Sequence, residues 1–175
     1  LTAGEYSSSS VTDLDTAAPY TLGYFSGSAP SIRGVLQETM DSFCGWITRD
    51  RDGLLRVGRL QEPAPTASLT IYKQDTLDDL SCEPDRAPNL SVSIGALRNW
   101  NRHGPDDFTT TVSASDRARL SAEFQIVRSR TGIVDPFYVH ADNAPPRATL
   151  LVTADDADAE ALRLAALYSR RRYFY

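Results

Sequence analysis

Two histidines and two cysteines, His103, His140, Cys44 and Cys82, are the side chains here that could act as a base or nucleophile near neutral pH. Their spacing builds no recognised catalytic or metal-binding motif: H-E-x-x-H, C-x-x-C, a phosphate-binding loop and G-x-S-x-G are all missing. His103 stands in a polar loop before Gly104 and Pro105, and His140 closes a strand-like run. Cys44 falls on the apolar face of a helical pattern, where a thiol is usually buried and inert. It and Cys82 read as free buried thiols, with a bridge between them as the alternative. Asp78 with Asp79, Asp106 with Asp107, and Asp155 with Asp156 are adjacent carboxylates. Glycosidase chemistry needs carboxyls facing each other across a cleft, whereas neighbours on a loop or helix start are solvated or complement the helix dipole.

One further stretch invites a metal. In GWITRDRDGLLRVGRL (45–60), D-R-D-G could open a calcium loop. Such a loop needs oxygen ligands at alternating positions and a closing bidentate Glu, and Leu55 stands where a ligand should. The same residues fit a turn between two short strands, with Gly53 supplying a left-handed backbone. No metal or cofactor site is expected.

The elements that must position these residues follow from periodicity. Residues 1–30 contain a four-serine run and no sustained period, and read as an extended arm with a short strand around Tyr20 to Phe25. From Ser31, the positions Ile32, Val35, Leu36, Met40, Phe43 and Cys44 form one face of a helix, with Ser31 as cap and Gly45 as the left-handed terminator. The hairpin follows. After Pro63 and Pro65, ASLTIYK (67–73) alternates as a strand, and 75–88 reads as a short helical turn and connector. Leu90, Val92 and Ile94 alternate in a second strand, and 101–112 is a loop. A capped helix over 113–124, a strand over 124–129 and one or two strands over 132–154 come next. The last helix starts at Thr153, carries acids first and arginines last, and buries Ala157, Ala161, Leu164, Ala165 and Tyr168. Arg170, Arg171 and Arg172 then lead into a strand at Tyr173, Phe174 and Tyr175.

The expected class is α+β in two small mixed units. An arm over 1–30 precedes a helix-plus-hairpin unit over 31–88 and a strand-rich, barrel-like unit over 89–175 with two helices. Trp46, Trp100, Tyr173, Phe174 and Tyr175 lie at element ends, where amphipathic rings serve core edges or interfaces. With Gly53, they are the structural or interface candidates.

Composition narrows the role. Apolar residues at 41% and charged ones at 23% are ordinary globular usage and exclude wholesale disorder. A net charge of −5 argues against specific nucleic-acid binding. No run approaches the ~18 apolar residues of a membrane span.

The succession LDTAAPYTLGYF (14–25), SIRGVLQETMDSFCGWITRDRDGLLRVGRLQEP (31–63) and a V-x-V strand leading to Arg98-Asn99-Trp100 resembles the tail proteins of bacteriophages and prophages. The nearest likeness is to the large tail-tip or baseplate-hub proteins of long-tailed phages, also called central tail fibre or minor tail proteins. There, a helix of the form L-x-x-x-x-x-S-x-G-x-W precedes a hairpin F-D-R-x-G-R-L-R-V-G-R-L-E-A-P, and WITRDRDGLLRVGRLQEP is the counterpart here. The final helix, running into an Arg- and aromatic-rich strand, fits the same habit. The likeness runs from about Leu14 onward and carries no catalytic signature; residues 142–147, with two prolines, fit it loosely.

The resemblance implies a fragment of a longer, homotrimeric structural protein of the virion, assembled in the bacterial cytoplasm. It implies contacts with distal-tail, tail-tube and tail-fibre proteins, and a part in host attachment and DNA ejection. It also implies barrel-like domains that continue the tail tube, with α+β insertions outside. Two other readings stand beside it. A receptor- or carbohydrate-binding module predicts exposed aromatics in a groove, for instance around Trp100 or Tyr173. A tail-associated hydrolase predicts a cleft with two opposed carboxyls or a Cys–His pair, with Cys44 near His103 or His140.

Overall fold

A computed structural model of the chain describes residues 5–62, 83–84, 89–130, 143, 145–169 and 173–174, with backbone alone at 83–84 and 173–174. The chain is α+β, as its patterning predicts. The expected strand over 67–73, the strand-like run before His140, and Cys82, His140, Arg170, Arg171, Arg172 and Tyr175 lie outside the described residues.

The arm departs from expectation. Ser8–Ala17 is a helix, α1, rather than extended chain. Serine and threonine favour caps and turns in isolation, so the helix is stabilised by what it lies on. Ser7 N–H donates to the Leu55 carbonyl, Leu55 N–H to the Glu5 carbonyl, and Val57 N–H to Ser10 Oγ, so the arm covers one edge of the hairpin. The chain is extended further on. Leu22 bridges Leu151, Gly23 N–H donates to the Leu150 carbonyl and Val152 N–H to that of Thr21.

Helix α2, Ile32–Asp41, is capped as expected: Ser31 Oγ accepts from Gly34 N–H at 3.0 Å. Its exit differs by one residue. Cys44 takes the left-handed conformation, at φ 54°, not Gly45. Gly45 is needed for room, since a Cβ there would lie 2.7 Å from the Phe43 ring and 2.9 Å from the Met40 sulfur.

Strands β1 (Gly45–Arg49) and β2 (Leu55–Arg59) pair antiparallel from Gly45 opposite Arg59 to Arg49 opposite Leu55. The intervening turn is built on Asp50, whose carboxylate accepts from Asp52 N–H, Leu54 N–H and Arg56 Nε. Gly53 sits at φ 79°. Both carboxylate oxygens of Asp50 are thus engaged within the hairpin itself.

β3 (Glu83–Pro84) pairs antiparallel with β7 (Tyr173–Phe174), so the aromatic end is a strand as expected. In the third sheet, β4 (Ser91–Ala96) lies between antiparallel β5 (Gln125–Arg130) and parallel β6 (Arg147–Ala148). Among the described residues these are open sheets of two, two and three strands, with no closed barrel. Sequence alternation predicts one buried face for β4, yet all six of its residues are buried. The second face is made of small residues because it is covered: a Cβ on Gly95 would stand 3.0 Å from Phe124 Cβ, and Ser93 Oγ accepts from Arg128 Nε.

Helix α3 (Ala114–Ser121) is capped by Ser113, and α4 (Ala154–Tyr168) by Thr153, each accepting from the N–H three residues on. α4 lays Ala157, Ala161, Leu164, Ala165 and Leu167 on Val92, Ile94, Ala96 and Leu151. Each large aliphatic side chain buried here contributes roughly 1.5–3 kcal/mol. Tyr168, expected within this face, packs at its margin, and Leu167 takes the buried place. Tyr20, Leu22 and Cys44 pack on the same core, so contacts cross the expected divisions at residues 30 and 88.

Candidate functional site

The segment Arg98-Asn99-Trp100 leaves the end of β4 through Leu97, a non-glycine residue at φ 52° whose N–H donates to the Leu151 carbonyl. This backbone is costly for a branched side chain, and such positions concentrate at binding sites. The turn throws Arg98 across the rings that follow. Its guanidinium lies 4.3 Å from the centre of Trp100 and 5.3 Å from that of Phe124. Nη1 donates to Glu38 at 3.2 Å and Nη2 to Glu123 at 3.1 Å. Asn99 ties the same segment to α3 through the Leu120 carbonyl.

Tyr24 and Phe25, on the arm, stand edge-on to Trp100, each 6.1 Å away between ring centres. All three rings face solvent: Tyr24 is 39% exposed, Phe25 61% and Trp100 40%. Beside them runs an open groove of about 350 Å³ lined by Leu97, Arg98, Trp100, Arg119, Gln125 and Val152, among others. A patch of aromatics held by fixed cations and carboxylates is suited to recognition.

A second cluster is closed to solvent. Glu160, on α4, is fully buried and accepts from Arg163 Nε at 2.7 Å, Arg163 Nη2 at 2.5 Å and the Tyr20 hydroxyl at 3.0 Å. Arg163 also donates to the carbonyls of Leu60 and Phe43, and Arg59 Nη1 lies 3.8 Å from the Glu160 carboxylate. Burial alone would lower the Arg163 guanidinium, but the bonds to Glu160 outweigh it and hold it above its ordinary value. Burial raises the Tyr20 phenol, opposed by its bond from Arg59 and reinforced by the Glu160 charge. This cluster ties arm, hairpin and α4 together. Sequence reasoning missed it, although Glu160 falls between Ala157, Ala161 and Leu164 on the apolar stripe, where a lone carboxylate needs a partner.

The other sequence candidates fall apart from one another. Cys44 is a free, half-buried thiol beyond the helix end rather than on its face; Arg147 Nη1 donates to it at 2.6 Å, and Tyr168 Oη lies 3.7 Å away. His103 stands on the loop, 3.9 Å from Asp107 and 5.9 Å from the Phe108 ring. Asp107 accepts from Gly104 N–H, and Asp156 from Thr21 N–H, so one member of each described acidic pair holds backbone. Asp78 and Asp79 lie outside the described residues. Trp46 is 46% exposed on the hairpin, apart from the Trp100 patch, and packs over Gly58. Among the described residues, no three His, Cys, Asp or Glu side chains gather to hold a metal, and no helix is long and apolar enough to cross a membrane.

Compared with known proteins, the chain matches no family model and no curated sequence.

Proposed function

We propose that this chain is a structural component of a bacteriophage tail tip, acting without catalysis or cofactor. In this reading it assembles as a homotrimer with distal-tail, tail-tube and fibre proteins in the virion, and supports host attachment and DNA ejection. The observation that carries the reading is the linkage of the segment bearing the resemblance. The helix–hairpin within that segment has its exit carbonyls, Phe43 and Leu60, held by one α4 arginine that is itself held by Glu160. The buried polar cluster around Glu160 thus joins elements, which suits a scaffold. Two measurements test this: the mass of the purified full-length protein in solution, and antibody labelling of intact particles by electron microscopy. A trimer and label at the tail tip are expected; a stable monomer and unlabelled tails reject the proposal.

A second reading, a receptor-binding module within a tail fibre, is favoured by one observation. Tyr24, Phe25 and Trp100 present exposed rings beside an open groove.

A further inference from the structure

We propose that the groove beside Trp100 binds a carboxylate-bearing saccharide, with Phe25 and Trp100 meeting the sugar's apolar face, Arg119 its carboxylate and Gln125 its hydroxyls. The inference deepens the receptor-binding reading and rests on it.

A sugar ring is amphipathic: its C–H face is apolar and its rim carries hydroxyls that both donate and accept. A matching site needs exposed aromatic surface on a rigid base, with a few polar groups that do both. The rigid base is here. Arg98 is held by Glu38 and Glu123 while stacked on Trp100, and the strained Leu97 backbone fixes where the segment leaves the sheet. Phe25, at 61% the most exposed residue of the patch, stands beside Trp100 next to the groove rather than in its lining.

The polar complement fits as well. Gln125 lines the groove half-buried, opposite Ala96 in the β4–β5 ladder. Its amide carries both donors and an acceptor, the pairing a hydroxyl needs. The charged residues lining the groove are Arg98 and Arg119, with no carboxylate among the lining residues. Arg98 is already paired with Glu38 and Glu123. Arg119 is more than half exposed and its ion pair with Asp116 is long, at 3.8 Å, so it can turn to a ligand carboxylate.

A peptide strand is a poorer occupant. The wall's backbone groups are already used: Gly23 N–H by Leu150, Val152 N–H by Thr21 and Leu97 N–H by Leu151. Those three donors are therefore closed to strand addition.

The test uses the 175-residue chain, isotope-labelled and titrated with oligogalacturonate and with sialyllactose, each beside its carboxyl-reduced counterpart. At least one of the two acidic saccharides is expected to shift the Trp100 indole N–H and Gln125 side-chain amide signals. Phe25→Ala and Trp100→Ala each weaken binding tenfold or more, while Arg119→Gln brings the acidic ligand down to the level of its reduced counterpart. Phe25→Ala and Arg119→Gln change exposed side chains, so unchanged melting separates lost binding from lost folding. Absence of shifts at Trp100 and Gln125 with both acidic saccharides overturns the proposal, as does equal binding of the reduced forms. Particles carrying Arg119→Gln separate it from the reading it rests on. Lost saccharide binding with unchanged adsorption leaves the site standing and removes its receptor role. Impaired adsorption by a chain that binds neither saccharide keeps the receptor role and overturns the saccharide.

Discussion

The Tyr20 hydroxyl donates to the Glu160 carboxylate at 3.0 Å, joining an arm at the start of the chain to the middle of its last helix. Glu160 is wholly buried, and two arginines converge on it. A buried charge is tolerated only when paired and hydrogen-bonded, so the arm, the hairpin's Arg59 and α4 depend on one another.

Removing the carboxylate leaves Arg163 and Arg59 with uncompensated charge. Glu160→Ala is therefore expected to cost about 3 kcal/mol, near the lower end for breaking a buried pair because Arg163 keeps two backbone carbonyls. Tyr20→Phe removes one neutral donor and is expected to cost about 1 kcal/mol. Urea unfolding measures both, and equal costs for the two variants would contradict the central place given to Glu160.

The same cluster and the separate Cys44–Tyr168 contact set an alkaline limit. Burial is the largest cause that raises the Tyr20 and Tyr168 phenols, with Glu160 adding to the first and the Cys44 contact to the second. A raised phenol keeps its proton in the folded state after the unfolded chain has lost it. Stability is thus fully present below the unfolded value of about 10 and falls as pH rises through the folded one. Tyr20→Phe should flatten the fall measured between about pH 9 and 11. A slope identical to that of the parent protein would assign the loss elsewhere.

Much of the fold was legible because it rests on local chemistry. Ser31, Ser113 and Thr153 are caps whose function needs only the next three residues, and Asp50 with Gly53 encodes its turn within five. What escaped depends on distant partners. Ser8–Ala17 has only Val11, Leu14 and Ala17 as apolar residues, none of them buried, and lies against a hairpin that the Ser10 to Val57 bond reaches 47 positions on. Cys44 is left-handed where Gly45 was expected, and Gly45 is glycine instead because Phe43 and Met40 claim the space at position 45, which no periodicity reveals. At the candidate site, Trp100 was legible as an element-end aromatic. Arg98, Phe25 and Gln125 reach it from a strand end, the arm and a neighbouring strand, and only the folded chain assembles them.

The hairpin turn supplies an acid-side prediction. Although burial opposes it, Asp50 lies below its ordinary value because the Arg56 side chain and the Leu54 and Asp52 N–H groups favour the ionised form. A lowered carboxyl contributes stability above the unfolded value, about 3.9, that is lost as pH falls through the folded one. Asp50→Asn keeps an oxygen for the turn but removes the charge, so its melting temperature should lie below the parent's at neutral pH and approach it in acid. A constant gap across that range would mean that charge plays no part.

The cross-strand pair of Trp46 and Gly58 gives the last prediction. A Cβ on Gly58 would lie 2.7 Å from Trp46 Cε2, so the glycine exists to let the indole lie across the opposite strand. The ring is 46% exposed and can swing outward, which keeps the penalty modest. Gly58→Ala is expected to cost about 1 kcal/mol, the low end for overpacking, with tryptophan emission shifted to the red as the ring leaves its seat. In a Trp46→Ala background the crowding disappears, and Gly58→Ala should become neutral or slightly stabilising, since alanine restricts the unfolded chain and suits a strand better than glycine. The difference between the two backgrounds isolates the ring's contact with the glycine. An equal cost in both would place the requirement for glycine in the backbone of β2 instead.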